Sequence, residues 1–79
     1  MKISIAKQQY SHGNLERAEV RPNPANPNEW FVMLYDSKMK TYVLVNEEEE
    51  PVVDLDINKL LALLKGFGFN EVSVILYHF

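Results

Sequence analysis

The sequence predicts an α+β fold: a mostly antiparallel sheet of four to five strands with one helix packed on one face. Three observations carry this. "INKLLALL" places Ile57, Leu60, Leu61 and Leu64 at i, i+3, i+4 and i+7, a single apolar stripe along a helix. "EWFVMLYDSKMKTYVLV" reads as two strand-forming runs around the turn residues Asp36, Ser37 and Lys38. After the helix, "NEVSVILYHF" (residues 70–79) returns to β-branched and aromatic residues. The order along the chain is β-β-β-β-α-β, and 79 residues make one domain, 1–79, with no room for a second core.

Taken in order, "ISIA" alternates and is β-branched, which predicts a first strand from Ile3 extending towards Gln9. "SHGN" has turn chemistry, with Gly13 free to take a positive φ. "LERAEVR" (residues 15–21) follows as a half-exposed strand, Ala18 and Val20 on one side and Arg17, Glu19 and Arg21 on the other. "PNPANPN" (residues 22–28) has three prolines, each lacking a backbone donor, so it reads as a surface loop and not a central strand. The hairpin's second strand covers residues 40–45, and "NEEEEP" ends it with four glutamates that repel one another and stay in water. Asp54 or Asp56 can cap the helix by accepting from its free N–H groups. Gly66 is the expected stop, with Phe67 packing back on the last turn. In the final strand Val72, Val74 and Leu76 are expected towards the helix, with Ser73, Ile75 and Tyr77 opposite.

Composition narrows the function classes. The chain has no cysteine, so neither a disulfide nor a thiolate-bound metal braces it, which favours a reducing, cytoplasmic setting. No segment approaches the roughly 18 to 20 unbroken apolar residues of a membrane span, and "MKISIAKQQY" lacks the apolar core of a signal peptide. Net charge is −3, unevenly spread: residues 1–42 carry six basic and four acidic side chains, residues 43–79 two basic and seven acidic. The first half could meet a polyanion; the second would repel one.

Enzyme activity is not expected. His12 and His78 are the two histidines, and neither is spaced to serve a nucleophile or a second metal ligand. Ser11, His12 and Asp36 make a triad only on paper. Helix capping accounts for Asp54 and Asp56, and the Glu47 to Glu50 run lacks the pattern of a calcium loop. "GFGF" follows a helix, where a phosphate loop precedes one. No cofactor or metal is implied.

The informative feature is that Trp30 to Tyr35 is apolar on both faces. One helix covers one face. Trp30, Val32 and Leu34 match the leucine stripe, which sends Phe31, Met33 and Tyr35 to the other side, with Tyr42 or its neighbours across the hairpin. Large uncovered apolar patches mark interfaces. The expected function is therefore a non-catalytic protein-interaction module acting through Phe31, Met33, Tyr35 and Tyr42, with another protein or a second copy as partner. Chain folding over the face, or curling of the sheet, would instead bury these residues within the monomer. The alternative function is weak single-stranded nucleic-acid binding, the same aromatics stacking bases while Arg17, Arg21, Lys38 and Lys40 meet phosphates. The negative net charge and the absence of an RNP-like motif weigh against that alternative.

Overall fold

The first expected strand is a helix. In the computed structural model, which describes residues 1–76, α1 spans Ile3–Ser11. Alternation over four residues is too short to decide between periods; three positions further on, the helical period wins. Ala6 is fully buried, Ile3 and Tyr10 pack beside it, and Ile5 is left 43% exposed. The turn residues do act, but as a helix ending: Gly13 takes φ 77°, its N–H donates to the Tyr10 carbonyl and that of Asn14 to Gln9.

Two long antiparallel strands form the centre, β1 (Leu15–Asn23) and β2 (Asn26–Asp36), with Val20 opposite Val32 and Ala18 opposite Leu34. The proline stretch is the far tip of this hairpin, so strand continues through most of the expected loop. Pro24 and Ala25 make the turn, and Asn23 and Asn26 accept from the N–H groups of Ala25 and Asn28. Pro22 is tolerated opposite Trp30 because strand parity turns its nitrogen to the flank of β1 where, among the described residues, pairing with β5 has already ended at Val20.

The other flank of β2 carries one strand broken in two, and residues 1–3 bond along its outer side at Val43 and Val45. β3 (Thr41–Val43) pairs with residues 33–35 and β4 (Val53–Asp54) with residues 30–31. Between them, Leu44 N–H donates to Val32, and Val52 N–H donates to Leu44, so the chain leaves the edge and returns to it. The glutamate run therefore does not end the strand; it is an excursion from it.

The two turns of this region share one backbone. Asp36 Oδ1 accepts from the N–H groups of Lys38 and Lys40 at 2.9 Å; Asn46 Oδ1 accepts from those of Glu48 and Glu50 at 3.0 Å. Met39 N–H closes on the Asp36 carbonyl, as Glu49 N–H closes on that of Asn46. Met39 and Glu49 then take φ 65° and 66°, a conformation most side chains avoid.

Helix α2 (Ile57–Phe67) carries the chain across one face to β5 (Ser73–Val74), which pairs in parallel with β1 on the opposite flank. Asp56 caps α2 by accepting from Asn58 N–H at 3.0 Å. The helix runs through the expected stop at Gly66 and ends at Gly68, φ 116°, with Gly68 N–H on the Lys65 carbonyl and Phe69 N–H on that of Leu64. Tyr10 packs on Gly68 and donates its hydroxyl to the Gly68 carbonyl, where only a glycine leaves room. The final strand is shorter than expected. Val72 packs on the core, but Val74 and Leu76 are 40% and 68% exposed because β5 is a two-residue edge at the margin of the helical layer. Tyr77, His78 and Phe79, the expected end of that strand, lie outside the described residues.

The fold is thus α+β, a five-stranded, mostly antiparallel mixed sheet in the order β3-β2-β1-β5, with β4 beside β3 along β2. Among the described residues it has two helices, not one. Ala6 of α1 and Leu60, Leu64 and Phe67 of α2 share a core with Ala18, Val20, Val32, Leu34 and Leu44, so both helices serve the same face.

Candidate interaction surface

The second face is what that arrangement leaves over. Alternation puts Arg17, Glu19 and Arg21 of β1 there, opposite Tyr35, Met33 and Phe31 of β2, which in turn meet Thr41 and Val43 of β3 and Val53 of β4. Phe31, Met33, Val43 and Val53 are only partly buried and do not pack on the core. They shield one another sideways, so the face is less exposed than a bare aromatic row would be.

Its β1 half is polar and organised around one carboxylate. Glu19 is only 7% exposed although no helix lies over it. Glu19 Oε1 accepts from the Tyr35 hydroxyl at 2.7 Å and from Arg21 Nη2 and Nε at 2.7 and 3.0 Å. Arg17 stacks on the Tyr35 ring, 4.3 Å from its centroid, and reaches the second carboxylate oxygen at 3.9 Å. Burial pushes the Glu19 carboxyl up, but the Tyr35 and Arg21 hydrogen bonds and the charges of Arg21 and Arg17 more than offset this and hold it below the usual value. Glu19 was not among the sequence candidates. Its signal was the alternating Arg-x-Glu-x-Arg of β1, two cations flanking one anion on a single strand face.

The β3–β4 half is apolar. Phe31, Val43 and Val53 line a shallow depression of about 210 Å³, rimmed by Pro24 and Pro51. Pro51 joins it directly to the acidic turn at residues 46–50. The two halves of one face therefore differ in polarity, with Met33 between Glu19 and Val43.

Of the expected partner-binding residues, the structure brings Phe31, Met33 and Tyr35 together and separates Tyr42 from them. Tyr42 pairs with Leu34, which places it on the helix face, where it packs on the core and donates to Asp36 Oδ2 at 3.3 Å. Tyr35 is buried by its hydrogen bonds and by Arg17, so it is a support more than a contact. The cations of the nucleic-acid alternative divide likewise. Arg17 and Arg21 share the open face but lean on Glu19, whereas Lys38 and Lys40 are exposed in the β2–β3 turn.

The chemistry of the remaining polar groups is local. Ser11 donates its hydroxyl to the Gln8 carbonyl. The Asp36 carboxylate is held below its usual value chiefly by the Lys40 N–H; desolvation opposes this, and the Lys38 N–H, the Tyr42 hydroxyl and the Lys40 charge add to the lowering. Among the described residues, no group of three or more His, Cys, Asp or Glu side chains comes together as metal ligands. No helix among them is long and apolar enough to cross a membrane. No family model, curated protein or solved structure matches this chain.

Proposed function

We propose that this chain is a non-catalytic, cytoplasmic protein-interaction module whose binding surface is the uncovered sheet face. One observation carries the reading: both helices pack on the same side, leaving Phe31 and Met33 of β2, with Val43 and Val53 beside them on β3 and β4, outside the core. In this reading the depression around Phe31 takes an apolar side chain of the partner, and Met33 extends the contact. The Glu19–Tyr35–Arg21 network keeps the adjoining half rigid, and Arg17 provides a polar rim. Val43 and Val53 take the place that Tyr42 held in the sequence expectation.

The test is site-specific photo-crosslinking in cells, with a photoreactive phenylalanine analogue at position 31 and, as control, at position 62 on the exposed side of α2. Protein adducts from position 31 and not from position 62 are expected. Adducts from neither position, or equally from both, would overturn the reading. Adducts to nucleic acid would favour the alternative, whose affinity must then fall steeply with salt as phosphate contacts are displaced.

A further inference from the structure

The open face carries opposite charge on its two flanks. On the β1 side Arg17 and Arg21 surround Glu19, a balance of +1, and Arg17 is half exposed. On the other side the acidic turn adds four exposed glutamates, and neither salt bridge among the described residues involves them; the Met1 ammonium on the Val43 carbonyl and Lys2 beside Val45 share this flank and leave it a balance of −2. The turn leaves the sheet at the level of Val32, since Leu44 N–H donates to the Val32 carbonyl there. Val32 lies opposite Val20, between Glu19 and Arg21 in sequence. Glu19 and Arg21 therefore flank the height of the acidic turn on the opposite side of β2, with Arg17 about 10 Å further along β1.

That layout is self-complementary under one operation. A two-fold axis along β2, in the plane between two stacked sheets, exchanges left and right while preserving height. It lays each basic flank near the other copy's acidic turn and sets the Phe31–Met33–Val53 surface against its own image. Aligned sheets stack in this way, about 30° apart through their twist, and a two-fold interface makes every contact twice. At 0.15 M salt the Debye length is about 8 Å, so the net charges of the two copies are largely screened at long range while flank contacts persist. We infer that the occupant of the open face is a second copy of this chain, stacked about that axis with Arg17 and Arg21 near residues 47–50 of its mate. This rests on reading the face as an interaction surface.

The experiment is sedimentation equilibrium of the full chain from low to high micromolar concentration at 0.15 M salt, repeated with charge variants. A concentration-dependent dimer is expected. Arg17→Glu alone, or Glu47→Lys with Glu48→Lys, should each weaken it about tenfold, a few-fold per exposed pair doubled by symmetry. The three changes combined should recover most of that loss, because the flanks match again with their signs reversed. Phe31→Glu should abolish the dimer; if circular dichroism shows that this variant has lost its fold, the charge variants decide alone. A monomer at every concentration, or a dimer indifferent to the charge changes, would overturn the proposal. A monomer whose position 31 still crosslinks to some other protein would overturn the second copy while leaving the open face as a binding surface.

Discussion

The two faces of this sheet are made by alternate residues of the same two strands, yet they are buried by different means. On the helix side Ala18, Val20, Val32 and Leu34 are sealed under a second layer, all at 1% exposure or less. On the open side Glu19 reaches 7% exposure with no helix above it among the described residues. There, burial comes from the side: a tyrosine, two arginines and a carboxylate satisfy one another in the plane of the sheet. Covering a face commits it to the core. Lateral packing shields a face and still leaves it available.

The largest expected effect breaks the covered face. Leu34→Ala removes a fully buried side chain and should cost about 2–5 kcal/mol, whereas Met33→Ala, one residue away on the open side, should cost about 1 kcal/mol. Urea denaturation of the pair measures the contrast; equal losses would mean that the open face is as much core as the other. Next, Gly68→Ala tests how the two helices are locked together. An added Cβ would sit 2.7 Å from Tyr10 Cε2, at a φ of 116° that already disfavours alanine. A loss of about 2 kcal/mol or more is expected from strain and displaced packing, read as a lower thermal midpoint.

On the open side, Glu19→Gln should cost about 1–2 kcal/mol at neutral pH, because hydrogen bonds to a charged acceptor are replaced by neutral ones. The pH dependence has a definite sign. The folded pKa lies below the unfolded one, so the carboxylate's contribution is complete above the unfolded value near 4.5 and is lost as pH falls through the folded value. The stability gap between the parent chain and Glu19→Gln should therefore narrow between neutral pH and pH 3. A gap that widens on acidification would show that burial, not ion pairing, dominates at Glu19. The smallest expected change belongs to neither face: Met39→Gly relieves a left-handed residue in an exposed turn and should raise stability by a few tenths of a kcal/mol.

These contrasts also mark where the sequence was readable. The α2 stripe follows from its period, and the division of the apolar run into an inward set, Val32 and Leu34, and an outward set, Phe31, Met33 and Tyr35, follows from strand alternation once the aliphatic residues are matched to that stripe. Residues 3–6 do not run that long, and only Ala6 and Tyr10 meeting α2 and Phe69 decide for a helix. Choosing between Gly66 and Gly68 as the stop needs Tyr10, 58 residues from Gly68 along the chain. Tyr42 was misplaced by register: the turn at residues 36–40 sets Tyr35 opposite Thr41, and one step of parity moves Tyr42 to the helix face. Strand pairing across the glutamate excursion has no local signal, since it depends on Leu44 and Val52 meeting each other.

That meeting has a practical corollary. Because Leu44 and Val52 are bonded directly and Val45 is held by Met1 and Ile3, the turn at residues 46–50 is a closed appendix whose length does not set the alignment of the strands on either side. Doubling a loop adds only about 0.6 kcal/mol of closure entropy. A peptide tag spliced between Glu48 and Glu49 should therefore leave the pairing of the sheet intact, while its bulk obstructs the acidic contact inferred for residues 47–50.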